Sequence, residues 1–196
     1  MTGNPTFIGR AQRVCMSTAA PPTCAPGATV YASPFNGWTA DFSRIPSAAW
    51  IWAPGIDGTS TPADLATFFF SKAFRLHGDP ANGALYVSAD DFAAVHVNGS
   101  LVGTIGSITD PSIANTHLNL TAFDITAFLR EGRNVITIEA QNGPAWFSGL
   151  CGICNYALNP AGVVFGGSIG VSRDEDVEDE AMPVAGNRHR TIMAGR

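Results

Sequence analysis

Only one lysine, Lys72, occurs in 196 residues, and eleven basic residues in all face sixteen acids, leaving a net charge of −5. A chain so poor in positive charge lacks the basic patch that marks nucleic-acid binding. No apolar run approaches the roughly 18 residues of a membrane span. The first 24 residues, MTGNPTFIGRAQRVCMSTAAPPTC, contain no continuous apolar stretch of the kind a secretory signal needs. Intracellular residence, non-standard export and incorporation into a virus particle all fit that start. The four histidines, His77, His96, His117 and His189, show neither H-x-x-x-H nor H-E-x-x-H spacing, and no G-x-S-x-G elbow, P-loop or dinucleotide fingerprint occurs. No catalytic residue, metal centre or cofactor is therefore expected, and no internal repeat is visible.

What is present is β-structure. With 45% hydrophobic residues, 21 Gly and 13 Pro, the chain can bury one core while turning often, which suits a single all-β domain. The segment Ala84 to Gly103, ALYVSADDFAAVHVNGSLVG, carries the pattern most clearly. Leu85, Val87 and Ala89 fall on one face, with Tyr86 and Ser88 on the other; Ala93, Val95 and Val97 repeat the alternation. Asp90-Asp91 is read as a turn, its short carboxylates accepting backbone N–H bonds. Asn98-Gly99 is the pair that a two-residue type I′ hairpin requires. The expectation is a three-stranded antiparallel meander. Neighbouring strand residues face opposite ways, so Asp90 and Asp91 are not expected to converge on one point.

The same segment resembles the central hairpin of galactose-binding-like jelly-roll domains, above all the accessory β-sandwiches of bacterial α-L-rhamnosidases and related glycoside hydrolases. Ala49 to Pro54, AWIWAP, and Phe70 to Leu76, FSKAFRL, are similar to the opening strands of those modules. Phe123-Asp124-Ile125-Thr126, with Leu129, Gly132 and Asn134-Val135-Ile136, is similar to a later segment. The resemblance runs from about Ala48 to Asn142. It implies an all-β, two-sheet antiparallel jelly-roll β-sandwich of about eight strands with one short helix, and a module that binds sugars or braces a neighbouring domain. It also suggests an extracellular or virion-surface setting.

Along the chain, residues 1–27 read as an irregular segment, 28–172 as the sandwich, and 173–196 as an acidic tail. Strands are expected at Trp50–Trp52, Ala66–Leu76, Leu118–Ile125 and Asn134–Ala140, with Tyr156–Val164 supplying the last. Thr126–Arg130 reads as one helical turn. Arg173 to Glu180 holds six acids and one base, a solvated, disordered composition. Residues 1–172 alone carry ten acids and seven bases, or −3.

The cysteines come as Cys15 with Cys24 and Cys151 with Cys154. Disulfides allow three pairings among four cysteines; buried thiols, an all-cysteine zinc site and a redox pair are the other readings. The zinc reading is weakened by the eight residues between Cys15 and Cys24, the redox reading by the lack of a helix after Cys151. Trp50 and Trp52 read as core residues on one strand face. Trp38 and Trp146 lie instead in Gly/Pro/Asn-rich loops. A flat ring there can pack on the C–H face of a sugar while Asn36, Asp110, Gln141 and Asn142 bond its hydroxyls; plugging an end of the sandwich is the plainer role. Asn98-Gly99-Ser100 and Asn119-Leu120-Thr121 are glycosylation sequons that matter only on export. The expected function is a non-catalytic, lectin-like carbohydrate-binding module with a glycan as ligand. The alternative is a structural protein assembling as a homo-oligomer or larger particle, such as a virion or surface component.

Overall fold

The computed structural model describes residues 6–8, 13–16, 23–26, 28–31, 34–56, 62–113, 116–144, 147 and 159–172. They form twelve strands: β1 Thr6–Ile8, β2 Arg13–Met16, β3 Thr23–Pro26, β4 Thr29–Val30, β5 Ile51–Trp52, β6 Thr67–Leu76, β7 Asp79–Asp90, β8 Phe92–Val97, β9 Ser100–Gly106, β10 Thr121–Asp124, β11 Gly132–Gln141 and β12 Gly162–Ser172. One antiparallel sheet runs β10-β7-β12-β5-β4, with β1 also on β12. The other runs β3-β2-β6-β11-β8-β9. The protein is thus an all-β fold of two antiparallel sheets. Single 3-10 turns stand at Pro111–Ile113, Thr116–Leu118 and Thr126–Phe128, the last on the helical turn expected from the sequence.

Between the sheets the expected faces are buried. Leu85, Val87 and Ala89 of β7, Ala93, Val95 and Val97 of β8, and Ile136, Ile138 and Ala140 of β11 are each fully buried in one cluster with Trp52 and Phe70. Full burial of a Leu, Ile, Val or Phe is worth about 1.5–3 kcal/mol, so this layer carries the fold. A second cluster, Trp38, Ile45, Trp50 and Val164, lies apart from it, bordered by Phe35, Phe42, Tyr86 and Leu120. Trp50 and Trp52 therefore do not share a core: Trp50 precedes the strand and joins the second cluster, while Trp52 joins the first.

The expected meander is only half present. Asn98 and Gly99 have φ of 53° and 87°, the type I′ signature, and β8 and β9 pair as a hairpin. The Asn98 amide is fully occupied. Its oxygen accepts the Val135 N–H at 2.9 Å, and its Nδ2 donates to Phe128 O and Asn134 Oδ1, both at 2.9 Å. β7 and β8, by contrast, are not neighbours. β7 pairs with β10 and β12, whereas β8 pairs with β9 and β11, so Asp90-Asp91 is the corner where the chain changes sheets. Local turn chemistry cannot distinguish a hairpin from such a corner, because the choice depends on which strand each arm finds.

Three further expectations change. Residues 1–27 contribute β1 on the distant strand β12, β2 on the distant strand β6, and β3 at the edge on β2; the described residues hold twelve strands, not eight. The last strand is Gly162–Ser172 rather than Tyr156–Val164. It lacks alternation because it is buried almost throughout, with Val163 and Phe165 in one cluster and Val164 in the other. The tail, 173–196, lies outside the described residues.

Candidate functional site

The corner at the end of β7 gathers the most unusual chemistry. Asp90 and Asp91 are 6% and 8% exposed and are joined by a cis peptide bond. Asp90 Oδ2 accepts the Trp38 indole N–H at 2.8 Å. Asp91 Oδ2 accepts the Gly143 N–H at 2.7 Å, and the two carboxyl groups hydrogen-bond each other. Burial is the main cause that pushes Asp91 up to about 8; the negative charge and hydrogen bond of Asp90 add to it, and the Gly143 N–H opposes it. At neutral pH Asp91 thus keeps its proton beside Asp90. The expectation that these acids would be held apart as turn formers is corrected: Asp90 ends one sheet and Asp91 opens the corner, so strand alternation does not apply across them.

His117 completes the group. Its Nδ1 lies 3.3 Å from Asp90 Oδ1, within ion-pair range, yet the alignment gives no hydrogen bond and this buried nitrogen has no other. Thr116 Oγ1 donates to Ala89 O at 2.7 Å, and Ser88 Oγ donates to Thr116 O at 2.7 Å, fixing the 116–118 turn to β7. The Thr39 N–H donates to His117 O at 2.7 Å. Trp38 stacks on Trp50 with ring centroids 4.2 Å apart, and Trp50 Nε1 donates to Thr39 O at 3.0 Å. Segment 34–50 and turn 116–118 are thereby tied to β7 and to each other.

Next to this buried group is a cleft of about 270 Å³, lined by Thr39, Asp41, Arg44, Tyr86, Asn119 and Leu120. Tyr86 comes from the face of β7 opposite Leu85 and Val87. The other linings follow Trp38 and His117 in the chain. The backbone N–H and hydroxyl of Ser43 hold the Asp41 carboxyl below its usual range, with Arg44 adding to this. A tyrosine ring, an arginine, a carboxylate, an amide and a hydroxyl around one hollow can bond a polyhydroxylated ligand while the ring covers an apolar face.

The residues singled out from the sequence fall differently. Trp38 is 6% exposed, so its ring does not present a flat surface at a loop tip; its role is to hold Asp90. Asn36 is exposed and does not line the cleft. Asp110 is exposed elsewhere, bonded by Ser112 Oγ at 2.6 Å and Ser112 N at 2.9 Å, which lower its pKa. Gln141 Nε2 donates to Leu65 O at 2.9 Å and Asn142 Nδ2 to Ala63 O at 3.3 Å. These two amides fasten the 62–66 loop, and Asn142 sits next to the Gly143 that holds Asp91. Cys15 and Cys24 occupy β2 and β3. Trp146, Cys151 and Cys154 lie outside the described residues. Sequence reading missed Thr39, Asp41, Arg44, Tyr86 and Asn119; the one available signal was Tyr86 on the non-core face of β7.

No protein-family model matches the chain, and no curated protein matches it. Solved structures do. An alpha-L-rhamnosidase from Streptomyces avermitilis aligns at 23% identity and a TM-score of 0.48 over 74% of this chain. An FMN-binding beta-glucuronidase from Facaelibacterium prausnitzii aligns at 17% and 0.45 over 83%. An alpha-L-rhamnosidase from Aspergillus terreus aligns at 14% and 0.40 over 88%. The chain spans only a small part of each enzyme: 13%, 22% and 25% of their lengths, respectively. Among the described residues no group of three or more His, Cys, Asp or Glu is placed to hold a metal ion, and no helix is long and apolar enough to cross a membrane.

Proposed function

We propose that the chain is a non-catalytic accessory β-sandwich that binds carbohydrate in the cleft between Tyr86, Arg44 and Asn119. The observation that carries this reading is the cleft itself, about 270 Å³ of space with one aromatic ring and four polar side chains on a sheet braced from behind. That volume lies just under the roughly 300 Å³ at which ligand pockets usually begin, so the cleft suits one small sugar unit rather than a long chain. Tyr86 covers the C–H face of the sugar; Arg44 donates to ring or hydroxyl oxygens, and Asp41 and Asn119 bond the remaining hydroxyls. The similarity of the Ala84–Gly103 segment to sandwich modules of sugar-cleaving enzymes agrees with this assignment.

The test is a glycan-array screen of the purified full chain, with free-sugar competition. We expect a competed signal that falls at least tenfold in both Arg44→Ala and Tyr86→Ala, with an unchanged thermal midpoint for Arg44→Ala because that side chain is exposed. Silence across the array, or binding untouched by both variants, rejects the assignment.

A further inference from the structure

We infer that Asp90, with the Trp38 and His117 it holds, positions both walls of the cleft, and that the proton shared between Asp90 and Asp91 sets whether those walls are ordered. This inference rests on the cleft reading above but has a readout of its own. One wall, Thr39 to Arg44, begins at the residue after Trp38; the other, Asn119 and Leu120, begins two residues after His117. Trp38 and His117 both converge on the Asp90 carboxylate, at 2.8 and 3.3 Å. The third wall, Tyr86, stands on the strand that Asp90 ends. The two walls are also joined directly, by the Thr39 N–H on His117 O at 2.7 Å. One buried carboxylate is therefore common to every element of the cleft.

Several groups surround the shared proton. Asp90 belongs to β7, and His117 to the turn at 116–118. Segment 34–50 presents the Trp38 N–H and the loop after β11 presents the Gly143 N–H. Asp64 stands one step further off, through Asn159, whose Nδ2 is 3.3 Å from Asp64 Oδ1 and 3.5 Å from Gly143 O. While Asp91 is protonated it donates to Asp90. Once it ionises, two carboxylates compete within one buried corner, and Asp90 can move apart only by releasing Trp38 or His117.

Amide hydrogen exchange of the full chain between pH 6 and 9, corrected for intrinsic rates, tests this. Protection across 34–50 and 116–120 is expected to fall together as pH passes about 8, while β6 and β11 stay protected. Asp91→Asn, which keeps the shape and removes the proton, should abolish that fall. Trp38→Phe, which keeps a ring on Trp50 but loses the N–H, should lower protection of 34–50 at every pH, by about tenfold for one lost buried hydrogen bond. Wild-type protection independent of pH, or a fall that persists in Asp91→Asn, overturns the inference. A fall shared equally by β6 and β11 also overturns it, because that is global unfolding. If the exchange behaves as expected and no sugar binds, the carbohydrate reading fails and this one stands; if sugar binds and the exchange is flat, the reverse holds.

A separate observation concerns the cysteines. The register of β2 against β3 places Cys15 directly opposite Cys24, and opposed residues of an antiparallel pair have Cα atoms about 4.5–5.5 Å apart, inside the span of a disulfide. We propose that Cys15 and Cys24 form a disulfide with each other. The two thiols form one S–S bond, passing two protons and two electrons to a small-molecule disulfide oxidant, which leaves as two thiols. After incubation with oxidised glutathione and blocking of free thiols, a non-reducing tryptic digest is expected to release peptide 14–44 unlinked to any other and two hydrogens lighter than its reduced form. Peptide 14–44 joined covalently to another peptide, or carrying the blocking group or glutathione, refutes the pairing.

Discussion

Asp90→Ala is expected to remove about 3–5 kcal/mol of folding stability, whereas Asp91→Asn, one residue on, should raise it near neutral pH, because asparagine is neutral in the fold without taking up a proton. Alanine at position 90 strands the Trp38 indole N–H, which is buried and has Asp90 as its acceptor. It also takes the neighbouring charge from a His117 nitrogen that makes no hydrogen bond, and it leaves the Asp91 proton without its acceptor. A cavity is added to three unmade interactions. Asparagine at position 91 copies the neutral acid instead, donating to Asp90 through Nδ2 and accepting the Gly143 N–H through Oδ1. Thermal midpoints at pH 7 distinguish the two, with a drop on the order of 10 °C expected for Asp90→Ala. Equal losses at both positions would mean that Asp91 is ionised in the folded protein.

The same pair makes stability depend on pH, with a sign unusual for an aspartate. Asp91 is raised from 3.8 to about 8, so between those values the folded chain binds more protons than the unfolded one. Its stabilising contribution is complete below about 3.8 and is lost as pH climbs through about 8, with a slope of up to about 1.4 kcal/mol per pH unit in between. Asp41, Asp110 and Asp124 are lowered by local serine and threonine hydrogen bonds. They act the other way, losing stabilisation as pH falls through their lowered values, but all three are exposed and the effect is weak. Urea midpoints should therefore be higher at pH 5 than at pH 8 in the wild type, and the difference should shrink sharply in Asp91→Asn.

How far the fold was readable follows the range of the interactions involved. The β8–β9 hairpin is encoded in two adjacent residues with positive φ, and β11 in alternation that one buried face imposes, so both were readable. β12 was misplaced because a strand buried on both faces has no alternation to detect. The corner at Asp90-Asp91 was read as a hairpin turn because the acids do not reveal that the next strand pairs with β11. The cleft was harder still. Arg44, Tyr86 and Asn119 are far apart in sequence and meet only once Trp38 and His117 have both reached Asp90. Trp38 itself was recognised as unusual for its loop setting, but neither its burial nor its acceptor, 52 residues away, was readable without the sheet change.

Gly167→Ala is expected to be severely damaging, costing upwards of about 4 kcal/mol and lowering the yield of folded protein. Gly167 lies mid-way along β12, opposite Leu85 of β7 and Ile8 of β1. A Cβ there would overlap the Ala84 carbonyl oxygen and stand 3.0 Å from Ala84 C and Leu85 Cα. All three are backbone atoms of the neighbouring strand, so relief requires parting the β7–β12 ladder, the pairing that carries Tyr86 and Asp90. Gly162→Ala meets a different obstacle, the Trp38 ring. A side chain can yield, so the cost should be smaller, about 1–3 kcal/mol, and should appear as loss of the cleft before loss of the fold. Gly99→Ala meets nothing within 4 Å and suffers only from its φ of 87°, a strain of about 1 kcal/mol. Chemical denaturation of the three variants should rank them in that order. If Gly162→Ala unfolded the chain as severely as Gly167→Ala, Trp38 would be a keystone of the whole sandwich rather than an anchor for one segment.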